Sequence, residues 1–148
     1  MPFTASVEAR DISLHQKPLK DPEMSQGKVI IVTGASRGIG LAASRYLLSQ
    51  GHKIVAVARS KSPLEQLAAE SPDQVLPLAE DLSSLTAGKS IVEHTLQKWK
   101  RIDGVVINHG TLDPIKRVAN TSAEEWRTTF DINVFSGISL VCRTTVQP

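Results

Sequence analysis

Apolar positions along the 148-residue chain gather into four short stretches, at residues 29–32, 53–58, 74–79 and 103–108, with polar residues only at their ends. Runs of this length, rich in Val and Ile and lacking polar alternation, predict strands buried on both faces of a parallel sheet. Between them the pattern changes to helical spacing. Residues 41–48 follow the first run, and Gly51 stops that helix. Ser62-Pro63-Leu64-Glu65 reads as a helix start, with Ser62 as N-cap, Pro63 at the first helical position and Glu65 closing a capping box. That helix is expected to end near residues 71–73. Ile91, Val92, Leu96 and Trp99 share one helical face, so Trp99 reads as core. Ser122-Ala123-Glu124-Glu125 is a second capping box, opening a helix through Trp126 and Phe130. Strand and helix in alternation predict an α/β fold. Pro77 in the third run marks an edge strand, as an order 3-2-1-4 requires.

The first run leads into the densest chemical signal, Lys28 to Gly40, KVIIVTGASRGIG. Glycines at 34, 38 and 40 let backbone approach a phosphate closely, and the following helix offers free N–H groups and the positive end of its dipole. The bland alternative is a glycine-containing connection that holds nothing. The spacing is not G-x-G-x-x-G but T-G-x-x-x-G-x-G, and it resembles the cofactor loop of the short-chain dehydrogenase/reductase family. Thr33, Gly34, Gly38, Gly40, Arg59, Asp81, Asn108, Gly110 and Asn133 occur in that family's order. Residues 57–60, 63–64 and 131–136 look like those of fungal reductases of the benzil reductase, (S)-benzoin-forming, type.

The resemblance implies a Rossmann-type doubly wound parallel sheet over residues 27–148, of which the later strands are missing from this chain. It also implies that Thr33, Gly34, Ser36, Arg37, Gly38, Ile39 and Gly40 cradle a dinucleotide. At the end of the second strand an acid would bond a ribose 2′-hydroxyl, whereas an arginine suits a 2′-phosphate. Arg59 stands there, with Arg37 as a second cation, so NADP(H) is expected over NAD(H). The alternative for Arg59 is a surface residue closing a strand. Asp81 and Leu82 match the position that touches adenine, although Asp81 equally suits a cap for the next helix. Asn108, His109 and Gly110 fall where the family has Asn-Asn-Ala-Gly or Ala-Asn-Ala-Gly. His109 replaces a small residue there, either stacking near the ribose or pointing to solvent. Asn133 matches the first member of an Asn-Ser-Tyr-Lys tetrad, whose backbone carbonyl holds a water linked to the lysine. The alternative is a helical Asn without catalytic duty.

The catalytic Ser and Tyr-x-x-x-Lys of the family do not occur in these residues. Tyr46, the sole tyrosine, precedes Gln50 rather than a lysine. The expectation is that this chain by itself does not reduce a carbonyl, for want of an acid. Other readings are a non-catalytic nucleotide-binding or interaction module and a degenerate remnant. The fourth strand would keep an open edge, and Val134, Phe135, Ile138, Leu140 and Val141 would lack partners, which predicts exposed apolar surface. An oligomer is not expected of these residues alone.

Composition narrows the classes. A net charge of +2 without a dense basic cluster argues against a nucleic-acid partner, and no apolar run is long enough to cross a membrane. A small-molecule carbonyl compound is the partner that the family implies. One cysteine, Cys142, fits a reducing compartment and a cytoplasmic reading, and its apolar surroundings make it core filler rather than a nucleophile. His15, His52 and His94 show no metal-ligand spacing. Residues 1–26, with Pro2, Pro18 and Pro22 among charges, are expected to be disordered. They lack a secretory apolar stretch, and Glu8, Asp11, Asp21 and Glu23 count against a transit peptide. Met24 is a candidate start of the compact protein.

Overall fold

The computed structural model describes residues 27–84 and 86–145; the expected disorder of residues 1–26 lies outside them. In chain order they form β1 (Val29–Thr33), α1 (Gly38–Ser49), β2 (Lys53–Ala58), α2 (Lys61–Glu70), β3 (Val75–Ala79), α3 (Ala87–Trp99) and β4 (Gly104–Val106). A 3-10 turn (Val118–Asn120) precedes α4 (Ala123–Phe130) and α5 (Ser136–Thr145), which a π-helical turn (Asp131–Phe135) joins. The sheet runs β3-β2-β1-β4 and every pairing is parallel. This is the doubly wound α/β arrangement that the sequence predicts, with Pro77 on the edge strand.

Side chains alternate across a strand, so an unbroken apolar run must feed two cores. Val29, Ile31, Val55 and Val57 face α3 and α5, where Ile91, Val92 and Leu140 cover them. Val32, Ile54, Ala56 and Ala58 face the other way, against Leu48 of α1 and Leu64 and Leu67 of α2. Full burial of each large aliphatic side chain contributes about 1.5–3 kcal/mol. Trp99 packs at the margin of the first core, with the Lys98 ammonium over its ring.

Several local expectations shift. The helix α2 begins at Lys61 with Ser60 as N-cap, so Ser62 is not the cap and Pro63 is the third helical residue. A proline is still tolerated there, because the first-turn amides have no intrahelical acceptor. Glu65 pairs with Lys61 at 3.0 Å rather than closing a box. The box at Ser122 and Glu125 forms in full. β4 covers only three residues, because the Thr33 hydroxyl takes over where the ladder would continue. It donates to the Val106 carbonyl at 3.2 Å and accepts from the Asn108 amide at 3.0 Å. Cys142 is exposed, not core. The inward face of α5 is Ser136, Gly137 and Leu140, and a residue two positions past Leu140 points elsewhere. Phe135, Ile138 and Val141 are exposed, as the pattern predicts, whereas Leu140 is fully buried.

The starts of β1 and β4 are fastened by Asp103. Its carboxylate accepts from the Val29 amide at 2.7 Å, and its own amide donates to the Val29 carbonyl at 2.8 Å. Partial burial pushes the Asp103 carboxyl up. The Arg101 guanidinium, the Val29 amide and the Lys28 charge together outweigh that and hold it below the usual range. A carboxyl with a depressed folded-state pKa contributes stability above its unfolded value of about 3.9, and loses it as pH falls through the lower folded value. The expected outcome is that Asp103→Ala destabilises the protein by about 1–3 kcal/mol at pH 7, the cost of an unsatisfied part-buried amide. The gap between wild type and variant should narrow below about pH 4. Urea unfolding at pH 7 and pH 3 measures both.

Candidate functional site

Strand order reverses between β1 and β4, and in open parallel sheets ligands bind at the carboxyl ends of strands beside such a reversal. A cleft of about 930 Å³ lies at those ends. Its walls come from the β1–α1 loop, the end of β2, the loop after β3, the loop after β4, and Thr128 and Ile132 near the π turn. The volume suits a large cofactor or drug-sized ligand.

The β1–α1 loop is shaped by its glycines. Gly34 has φ +66° and Gly38 φ +55°, a region that other L-residues rarely adopt. A Cβ on Gly38 would meet nothing, so protein packing does not require its bare backbone there; the space beside it is open. Gly40 is different. A Cβ there would collide with the Gly34 carbonyl and lie 2.5 Å from the Asn108 amide nitrogen, so glycine is what lets α1 approach β1. Arg37 is the N-cap of α1, no side chain caps that end, and the first turn holds no acid. The first-turn amides and the positive dipole end are therefore left for an anion. Ser36, Arg37, Gly38 and Ile39 line the cleft, and Ile39 is 80% exposed. Thr33 and Gly40 are buried and support the loop from beneath.

Arg59 follows β2 and lines the same cleft, as do Asp81 and Leu82 after β3. The Asp81 carboxylate does not cap α3, whose N-cap is Thr86. It accepts from the Ser83 amide at 3.0 Å in a local turn. Bonds from Ser83 hold its carboxyl below the ordinary range, and the Arg59 charge adds to this. Leu82 is buried and continues into the core beneath.

Asn108, His109 and Gly110 form the wall beyond β4. The Asn108 side chain donates to the Thr33 and Gly34 carbonyls, each at 3.3 Å, and so ties β4 to the glycine loop. His109 neither points to solvent nor lies free to stack. Its Nδ1 is 2.8 Å from Thr33 Oγ1, and its Nε2 is 2.7 Å from Ser136 Oγ and 3.0 Å from the Ile132 carbonyl. Half-burial pushes its pKa down, with the Ile132 carbonyl opposing. The Ser136–His109 contact has the spacing of a nucleophile and base, yet Ser136 is 4% exposed and its hydroxyl donates to Ile132, so that hydroxyl is not presented to the cleft. Asn133 stands apart from the cleft, exposed within the π turn. Its Oδ1 accepts from the Thr111 amide at 2.7 Å and its Nδ2 donates to the Thr111 carbonyl at 2.8 Å, a two-point staple on the loop after Gly110.

Sequence reasoning missed Ser136, Thr111 and the inward turn of His109. Nothing in linear spacing signals a contact between residues 27 positions apart. A histidine where a small residue is usual was the one available hint. His52, buried with Nδ1 accepting from the Lys28 amide, serves structure, and among the described residues no cluster of metal-ligating side chains occurs.

A sequence model of the short chain dehydrogenase family matches residues 28–147. An uncharacterized oxidoreductase of Schizosaccharomyces pombe is 40% identical over 115 residues, covering 77% of this chain and 45% of the relative. The benzil reductase ((S)-benzoin forming) of Saccharomyces cerevisiae is 35% identical over 122 residues, covering 78% and 46%. The structure of L-sorbose reductase from Gluconobacter frateurii, complexed with NADPH and L-sorbose, matches with TM-score 0.75 and 27% identity over 81% of this chain and 47% of that one. That of 3-ketoacyl-(acyl-carrier-protein) reductase from Brucella melitensis, complexed with NADH, matches with TM-score 0.74 and 29% identity over 80% and 49%. The chain spans about half the length of the relatives it matches.

The close approach at Gly40 makes a direct test. Gly40→Ala is expected to destabilise the fold by about 1–3 kcal/mol through overpacking against the Gly34 carbonyl. The variant should melt several degrees lower by circular dichroism.

Proposed function

The chain belongs to the short-chain dehydrogenase family, and from that premise we propose that it supplies the nucleotide-holding part of an oxidoreductase that moves hydride between NADP(H) and a carbonyl or secondary alcohol. One observation carries the reading: an open glycine cradle at an uncapped helix N-terminus, in a cleft that also receives Arg37 and Arg59. When bound, a nicotinamide dinucleotide supplies or accepts the hydride. The amides of the glycine loop and of the first turn of α1 would hold its pyrophosphate. Arg59 and Arg37 would face the adenosine ribose and favour a 2′-phosphate there, which makes NADP(H) the preferred form and NAD(H) the weaker one. Asp81 and Leu82 would border the adenine, and Asn108, His109 and Gly110 the far side. Asn133 would keep the loop after Gly110 in place through Thr111.

The proton donor that the family implies is a tyrosine beside a lysine. The sole tyrosine, Tyr46, is 65% exposed on α1, and among the described residues no tyrosine or lysine lines the cleft. These 148 residues are therefore proposed to bind cofactor without turning over a carbonyl on their own. The substrate that the complete activity takes is a small carbonyl compound, by analogy with the family.

Arg59→Ala should weaken NADPH binding by roughly ten- to a hundredfold, the range of one to two charge-assisted contacts, and leave NADH binding nearly unchanged. Titration calorimetry with both nucleotides reads the difference. Equal loss for both would remove the phosphate role from Arg59. In the same preparation, NADPH oxidation with benzil or a simple diketone is expected to stay at background; turnover would overturn the proposal that these residues do not act alone.

A further inference from the structure

Where α4 passes into α5 the helix widens by one residue, and the Ser136 amide reaches back to the Asp131 carbonyl. In a regular α-helix that amide would have bonded Ile132. The Ile132 carbonyl instead receives the Ser136 hydroxyl at 2.7 Å and lies 3.0 Å from His109 Nε2. The other edge of the same ring reaches Thr33, the last residue of β1 and the one before the glycine loop. The backbone of His109 also lies against that loop, since a Cβ on Gly34 would stand 3.1 Å from the His109 nitrogen.

We propose that His109 is a positioning residue that fastens the start of the phosphate-cradling loop to the π turn carrying Asn133, acting as a neutral imidazole with its proton on Nε2. A carbonyl oxygen only accepts, so Nε2 at 3.0 Å from Ile132 must donate. Ser136 Oγ shares that proton as an acceptor while its own hydrogen goes to Ile132. Nδ1 is then left bare and accepts from the Thr33 hydroxyl at 2.8 Å, whose single hydrogen is shared with the more distant Val106 carbonyl at 3.2 Å. That one tautomer gives both ring nitrogens a partner, and half-burial pushes the ring's pKa down, favouring the neutral form. The bridge spans residues 33, 109 and 136, so the loop that would hold phosphate and the turn that holds the wall of the cleft move as one piece. An alanine in place of His109 would leave Thr33 and Ile132 without this link.

The consequence for affinity rests on the nucleotide reading above, whereas the bridge itself is tested without ligand. In ¹⁵N-histidine-labelled protein at pH 7.5, long-range ¹H–¹⁵N spectra are expected to show His109 as the Nε2–H tautomer; an Nδ1–H signature would overturn the assignment. Hydrogen exchange at residues 34–40 should quicken about tenfold in His109→Ala, the loss of one or two ordinary hydrogen bonds, with β2 and β3 unaffected. His109→Gln, which keeps a donor toward Ser136, should recover part of that protection. NADPH affinity should fall in the same order. If His109→Ala fails to fold, Ser136→Ala removes one end of the bridge and should give a smaller change of the same kind. Unchanged exchange in the folded variants would overturn the proposal. If wild type shows the expected tautomer and exchange but binds neither NADPH nor NADH, the nucleotide reading fails and the bridge stands.

Discussion

The contact between Gly40 and Gly34 is what the rest of the carboxyl edge depends on. A helix that starts five residues after a strand must turn back over it, and here the Gly40 backbone rests on the Gly34 carbonyl with no room for a side chain. That approach aims the uncapped end of α1 across the sheet edge rather than away from it. Asn108 then fills the remaining gap, donating to both carbonyls at the end of β1. With that one close contact go an anion-accepting helix end and a tight loop with two left-handed glycines.

Layered on this contact is a chain of side-chain bonds that sets the far wall. Thr33 bonds Val106, Asn108 and His109, His109 reaches Ser136 and Ile132, and Asn133 staples Thr111. The π turn makes the middle of this chain possible, because it redirects one backbone amide and leaves a carbonyl facing the ring. Such single-turn widenings recur at functional sites. Hydrogen bonds of this kind contribute about 1 kcal/mol each in net terms, so their effect is on position more than on overall stability.

The strands were legible because parallel strands buried on both faces must be largely apolar, and the stretches at 29–32, 53–58, 74–79 and 103–108 fit that demand, with the observed strands falling on or within a residue of them. The glycine loop was legible because its backbone needs dictate residue type directly. Pro77 announced an edge and Ser122 with Glu125 announced a helix start. Less was written in the region after β4. His109 turns inward to partners far along the chain, and β4 ends early because a hydroxyl from another strand intervenes. The start of α2 was misplaced by two residues, since the capping pattern at Ser62 competes with the Lys61–Glu65 pair that the local sequence also allows. Cys142 was read as core from its neighbours' hydrophobicity, when what decides is the direction each residue takes from the α5 axis.

The claim at the centre of this account is that the glycine cradle holds a nicotinamide dinucleotide by its phosphates. Thermal unfolding of the protein with NADPH at about a hundred times its Kd tests it most directly, since binding to the folded state alone should add about 2.7 kcal/mol of stability. The account predicts a cooperative transition that moves upward by several degrees with NADPH and by less with NADH. A cooperative transition that neither nucleotide moves at millimolar concentration would contradict it.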